Sequence, residues 1–346
     1  MCTALEPMQT EHSGNPGIQP PVKRDRTIDA AKGLGMLLVF FGHVCHIHPF
    51  WAIIYSFHMP LFFLIAGINF RSDKYPSFSA LFRKKLHTML VPYLFFCLFG
   101  ICSSLASKLI TNTPSDQILD YLSQLPYAVV WMPYSKSAQL FNTPLWFVPC
   151  LTLLEFLFYW LDHIRKTGLF WMSVCTITFL GWWMESPGAP VDFSVHPWNF
   201  STACFALIFF AIGNRAAGRL KKHLIGPKPV GKHALVLVSV FAAAFLITGY
   251  AGIHNPGSLG SRVLGNGFVY VLTGLTGSLC VLIFARFVSG SLSSISMEGI
   301  PLRSWVLRCR FSGSSQTCFG FFTHILLKRY LSMQKRPFGN VSECLL

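Results

Sequence analysis

Apolar residues run along this chain in blocks of about twenty separated by short polar stretches, a length that crosses the hydrocarbon layer of a bilayer as an α-helix. Blocks near residues 34–50, 52–70, 88–108, 145–161, 169–185, 199–213, 234–251 and 264–285 predict eight membrane-spanning helices. In lipid a helix satisfies its own backbone hydrogen bonds, so the expected fold class is an all-α polytopic transmembrane helix bundle, with eight clear spans and room for up to ten. Residues 311–327 are Ser-rich and flanked by Arg310 and by Lys328, Arg329, Lys335 and Arg336. They stay open between a weak span, a re-entrant segment and a surface helix. The pattern divides the chain into a disordered cytoplasmic tail over 1–22, a membrane domain over 23–290 and an atypical C-terminal region over 291–346. The longest outer connection, about 109–144, holds aromatic and Pro residues that suit a cap over the membrane domain.

Composition supports lipid as the solvent. Of 346 residues, 52% are apolar and 12% charged, about half the charged share of an ordinary soluble domain. A net charge of +15 would suggest nucleic acid in a soluble protein, but here the basic residues sit in alternate short connections, not on one face. Those connections carry 21 Lys and Arg against three in the others, which predicts a multi-pass protein with a cytoplasmic N-terminus and no nucleic-acid partner. Seven of the eleven cysteines lie inside apolar blocks without a Cys-x-x-Cys pair and read as packing residues. No metal is expected: His43, His46 and His48 cluster near the end of the first span without a carboxylate.

Ionisable groups inside a span are costly and are candidates for function. They are His43 in the first span, His58 in the second and Glu155 in the fourth. Lys32 and His43 are eleven residues apart, ~16 Å of helical rise and within ~20° of whole turns, so they share one face. Asp29, three residues before Lys32, lies close to that stripe. The first helix thus offers a carboxylate and an ammonium at the cytoplasmic mouth and an imidazole near mid-membrane. This suits transfer from a phosphate-bearing donor whose reactive end reaches a buried base, and imidazole titrates in the right range for that base. From spacing alone, a plain hydrogen bond from His43 to a neighbouring helix is equally open. Glu155 reads as a buried hydrogen-bonding strut or an acid catalyst, and Trp146 and Phe147 as an aromatic belt.

RTIDAAKGLGMLLVFFGH (Arg26 to His43) followed by SFHMPLFFLIAGINF (Ser56 to Phe70) resembles the acyltransferase-3 family of integral-membrane acyltransferases, on the branch of fucose 4-O-acetylase-like proteins. RKKLHTMLVPYLFF (Arg83 to Phe96), PLWFVPCLTLLEFLFY (Pro144 to Tyr159) and LIFFAIGNRAAG (Leu207 to Gly218) look like further family blocks, so the resemblance covers roughly residues 24–290. It implies that His43 is catalytic; Asp29 reads either as orienting Lys32 or His43 or as one side of an interfacial salt bridge. His58 is implied as a substrate or structural contact or a second catalytic group. Lys32 is implied to bind the donor, acetyl-coenzyme A as co-substrate, or to stabilise charge, and Arg83 and Lys85 to handle the donor or only to satisfy the positive-inside preference; His87 stands where relatives carry a further basic residue. The expected enzyme is an O-acetyltransferase of a bacterial inner membrane, acting on a sugar hydroxyl of a surface or secreted glycan or lipo-oligosaccharide; rhizobial nodulation-factor acetyltransferases are similar in size. The rival expectation is a glycolipid or polysaccharide transporter or flippase using His43, His58 and Glu155 as a proton relay.

Overall fold

The computed structural model describes residues 26–44, 47–131, 143–186, 197–224 and 229–291. Among these the fold is all-helical: α1 Arg26–Val44, α2 Phe50–Asn69, α3 Phe78–Lys85, α4 Val91–Ile110, α5 Ser115–Trp131, α6 Phe147–Asp162, α7 Thr167–Met184, α8 Phe200–Leu224, α9 Lys232–His254 and α10 Gly267–Ser291. Each of the eight expected blocks falls on a helix. Six segments are long and apolar enough to cross a membrane: Phe50–Asn69, Phe78–Ile110, Thr167–Met184, Pro197–His223, Lys232–His254 and Gly267–Ser289. The other two expected spans are α1, with Arg26, Asp29 and Lys32 in its first turns, and α6, of 16 residues. The expected tail, His46 and the undecided 311–327 stretch lie outside the described residues.

The structure departs from the expected boundaries in three informative places. First, α1 begins eight residues before the first apolar block, since a helix needs apolar residues only where it meets lipid or a neighbour, and it ends at Val44, so His43 lies in its last turn and not near the middle of the span as expected. Second, the basic stretch expected as a loop is itself helical: α3 runs through a single π turn, Leu86–Leu90, into α4. The resulting helix of 33 residues is ~50 Å long, well beyond the ~30 Å of hydrocarbon. Third, part of the outer connection expected as a cap is a helix, α5, that turns back along α4. The Tyr93 hydroxyl donates to the Val129 carbonyl at 2.6 Å, and Lys108 lies over the Tyr121 ring.

Packing centres on α2, which touches α1, α8, α9 and α10. Its closest neighbour is α8. A Cβ on Gly67 would strike the Phe210 backbone, and one on Gly213 would strike that of Leu64; small residues at a membrane helix crossing let the two backbones meet. Beside the crossing, the Asn214 amide donates to the carbonyls of Gly67 (3.1 Å) and Phe70 (2.9 Å). Both acceptors lie at the C-terminal end of α2, where the Gly67 carbonyl also accepts the Phe70 N–H at 3.2 Å. Phe63, Phe158, Phe205, Phe209 and Phe210 fill the surrounding core and are fully buried.

The same contacts define two ends of the bundle. Gly35 faces Phe62 while Gly42 faces Tyr55, so α1 and α2 run antiparallel, and Thr27 meets Ser289 at the far end of α10. One end gathers the start of α1, the end of α2, Ser72, Asp162 of α6 and Arg215 of α8. The other gathers the end of α1, the start of α2 and the start of α10, where the Tyr270 hydroxyl donates to the Tyr55 carbonyl at 3.1 Å.

Candidate active site

Helix α1 is continuous from Arg26 to Val44, so the shared stripe of Lys32 and His43 holds. Ile28, Ala31, Gly35 and Gly42 turn into the bundle, and the stripe lies roughly a quarter-turn from that buried face. Lys32 pairs with Asp29 at 3.6 Å, with both side chains substantially exposed.

At the opposite end of α1, the His43 Nδ1 is 3.4 Å from the Tyr55 hydroxyl. The Tyr55 ring in turn stands edge-on to His58, with centroids 4.8 Å apart, and lies against Trp51 at 4.7 Å. His43 and His58 are therefore brought together through one phenol ring. His43 is exposed, whereas His58 is buried. The His58 Nδ1 is 2.8 Å from the Ile54 carbonyl. A carbonyl can only accept, so Nδ1 carries the hydrogen, and in the neutral ring Nε2 is the basic nitrogen. His163 and His254 make the same bond to the carbonyl four residues earlier; this contact of His58 is accordingly a local habit of histidine in these helices.

The basic stretch separates into two groups. The Lys85 ammonium is inside the bundle, 2.5 Å from the Glu155 carboxylate, with side chains 14% and 7% exposed. Glu155 is thus an ion-pair partner that ties α3 to α6. By contrast, Arg83, Lys84 and His87 line an open cavity of ~550 Å³ together with Ser77, Ser79 and Ala80. Lys84 also lies over the Tyr75 ring at 5.6 Å; burial first, and then the Glu155 carboxylate, raises the Tyr75 phenol above its ordinary pKa. Arg83 and Lys85, expected to act together on the donor, thus stand in different surroundings, and Lys32 is paired with Asp29 on α1. Among the described residues, no cluster of three His, Cys, Asp or Glu side chains is arranged to hold a metal ion.

A family model described as an acyltransferase domain, of the acyltransferase-3 type, matches residues 25–333. The chain belongs to the acyltransferase-3 family. It is accordingly an acyltransferase, and its apolar helices make it a multi-pass membrane protein. The match extends past residue 290, where the blocks legible in the sequence stop, and takes in most of the C-terminal region. No curated protein and no solved structure matches the chain.

Tyr55, which touches both His43 and His58, is not among the candidates that the sequence singles out. It is neutral at ordinary pH, so a search for ionisable groups within spans does not find it. The usable signal was its spacing, three residues before His58 and four after Trp51, which puts all three on one helical face.

Proposed function

We propose that this acyltransferase moves an acetyl group from cytoplasmic acetyl-coenzyme A to a hydroxyl of a sugar in a surface or secreted glycan or lipo-oligosaccharide. The observation that carries this reading is the unbroken α1 helix, which holds Lys32 and His43 on one stripe ~16 Å apart. A donor with phosphates at one end and a thioester at the other fits such a spacing. Arg83, with Lys84 and His87 at the rim of the open cavity, is the group best exposed to take the phosphates, as guanidinium forms paired hydrogen bonds to phosphate oxygens. Lys85 supports the site through Glu155 instead of meeting the donor directly.

In this mechanism the His43 imidazole takes the proton of the acceptor hydroxyl as its oxygen attacks the thioester carbonyl. The C–O bond forms, the C–S bond breaks, and the departing thiolate receives the proton from His43. The products are the acetyl ester and the free thiol. Asp29 steadies Lys32 through their ion pair, and His58 stands behind Tyr55. The loop-charge asymmetry supports a cytoplasmic N-terminus, and with it a donor that approaches from the end where α1 begins. Inner-membrane location and a nodulation-factor acceptor rest on the branch that the sequence blocks resemble.

Purified protein in detergent, supplied with radiolabelled acetyl-coenzyme A and glycan extracts, is expected to transfer label, and His43→Ala to lose that transfer. Undiminished transfer by His43→Ala would sink the mechanism. Mass spectrometry of glycans from cells with and without the gene identifies the acceptor as the species that lacks one acetyl increment.

A further inference from the structure

We infer that Tyr55 is the positioning residue of the site: its phenol oxygen meets Nδ1 of His43 and so fixes the direction in which the imidazole faces the acceptor. The inference rests on His43 being the base. In its support, Tyr55 is fixed from several sides. Its carbonyl accepts from the buried Tyr270 hydroxyl at 3.1 Å, its ring lies against Trp51, and its edge meets His58. On the fourth side is α1 itself. A Cβ on Gly42 would come within 2.9 Å of the Tyr55 ring, closer than carbon atoms pack, so glycine next to His43 is what lets the phenol lie across α1.

The orientation of His43 follows from this frame. An imidazole on a helix end turns about two side-chain bonds, and a base must present one nitrogen in one direction. The Tyr55 oxygen, 3.4 Å from Nδ1, gives the ring one anchored edge. The imidazolium formed on proton transfer carries a hydrogen on Nδ1, and that hydrogen donates to the phenol oxygen. The Ile54 carbonyl assigns the hydrogen of His58 to Nδ1, whereas the phenol, which can donate or accept, fixes the direction of the His43 ring. Tyr55 itself takes no proton from the acceptor.

The test uses the full-length enzyme in detergent, with acetyl-coenzyme A as donor, chitotetraose as probe acceptor and thiol release as readout. Tyr55→Phe removes only the oxygen and is expected to lower kcat about tenfold with KM for the donor within twofold, the pattern of a contact that matters in the transition state. Gly42→Ala, which retains the phenol but displaces its ring, is expected to lower kcat in the same way. If Tyr55→Phe retains wild-type kcat, or changes KM alone, while His43→Ala is inactive, the role of Tyr55 is overturned and that of His43 stands. If His43→Ala turns over like the wild type, the base assignment itself has failed. Should Tyr55→Phe not fold, an undiminished kcat in Gly42→Ala overturns the inference.

Discussion

Of the polar contacts that join neighbouring helices in this bundle, Lys85 with Glu155 and His43 with Tyr55 are built on opposite lines. The first is ionic and nearly closed off, with 14% and 7% of its side chains exposed and 2.5 Å between the charged atoms. The second is a longer contact, 3.4 Å, between an imidazole and a phenol at an exposed position. A buried pair in a membrane holds helices together because neither partner tolerates being left alone. An exposed imidazole with one anchored edge can be met by a reactant. Under the proposed mechanism the contrast separates groups that assemble the enzyme from groups that act, although both kinds are rare polar residues in apolar sequence.

That division makes predictions of graded size. His43→Ala is expected to lower acyl transfer by about 10²–10⁴-fold while the thermal unfolding midpoint in detergent stays put; a large drop in the midpoint would mean that His43 is structural. Glu155→Ala is expected to do the reverse first, destabilising the fold by ~3–5 kcal/mol as Lys85 loses its partner. The double variant Lys85→Met/Glu155→Met should regain most of that loss, and unfolding midpoints decide it. Failure of the double variant to recover would show that the pair does more than offset its own charges. Arg83→Ala is expected to raise KM for acetyl-coenzyme A about tenfold without moving the midpoint, as fits loss of one charge-assisted contact; an unchanged KM would remove Arg83 from the donor site. The smallest effect belongs to Asp29→Asn. An exposed pair is worth ~0–1 kcal/mol, so stability should barely change, and a strong loss of activity there would assign Asp29 a role in orienting Lys32.

The helices were legible because lipid demands long apolar runs, and each expected block has its helix. What the blocks did not reveal follows from the same physics. The first turns of α1 and the whole of α3 carry Asp29, Lys32, Arg83 and Lys85, so hydropathy places them outside the membrane, yet the backbone stays helical through them. Helix α5 is amphipathic, with Leu125 and Val129 packed on the cluster around Tyr93, and its apolar stripe is too narrow to stand out as a span. Within the site, Lys32 and His43 could be related because a single helix carries both. Lys85 and Glu155 could not, since their depths depend on how α3 packs on α6. Tyr55 escaped because it carries no charge; only the fold brings its hydroxyl to His43.

The glycine crossing of α2 and α8 also bears on how the protein is made. About 150 residues separate Gly67 from Gly213, and at synthesis rates of roughly 5–20 residues per second α2 waits on the order of ten seconds for its closest partner. During that interval the shallow groove at Gly67, which admits no side chain from within α2, is open to lipid. The arrival of α8 must then displace those acyl chains, so the tightest contact in the finished enzyme joins two helices made far apart in time.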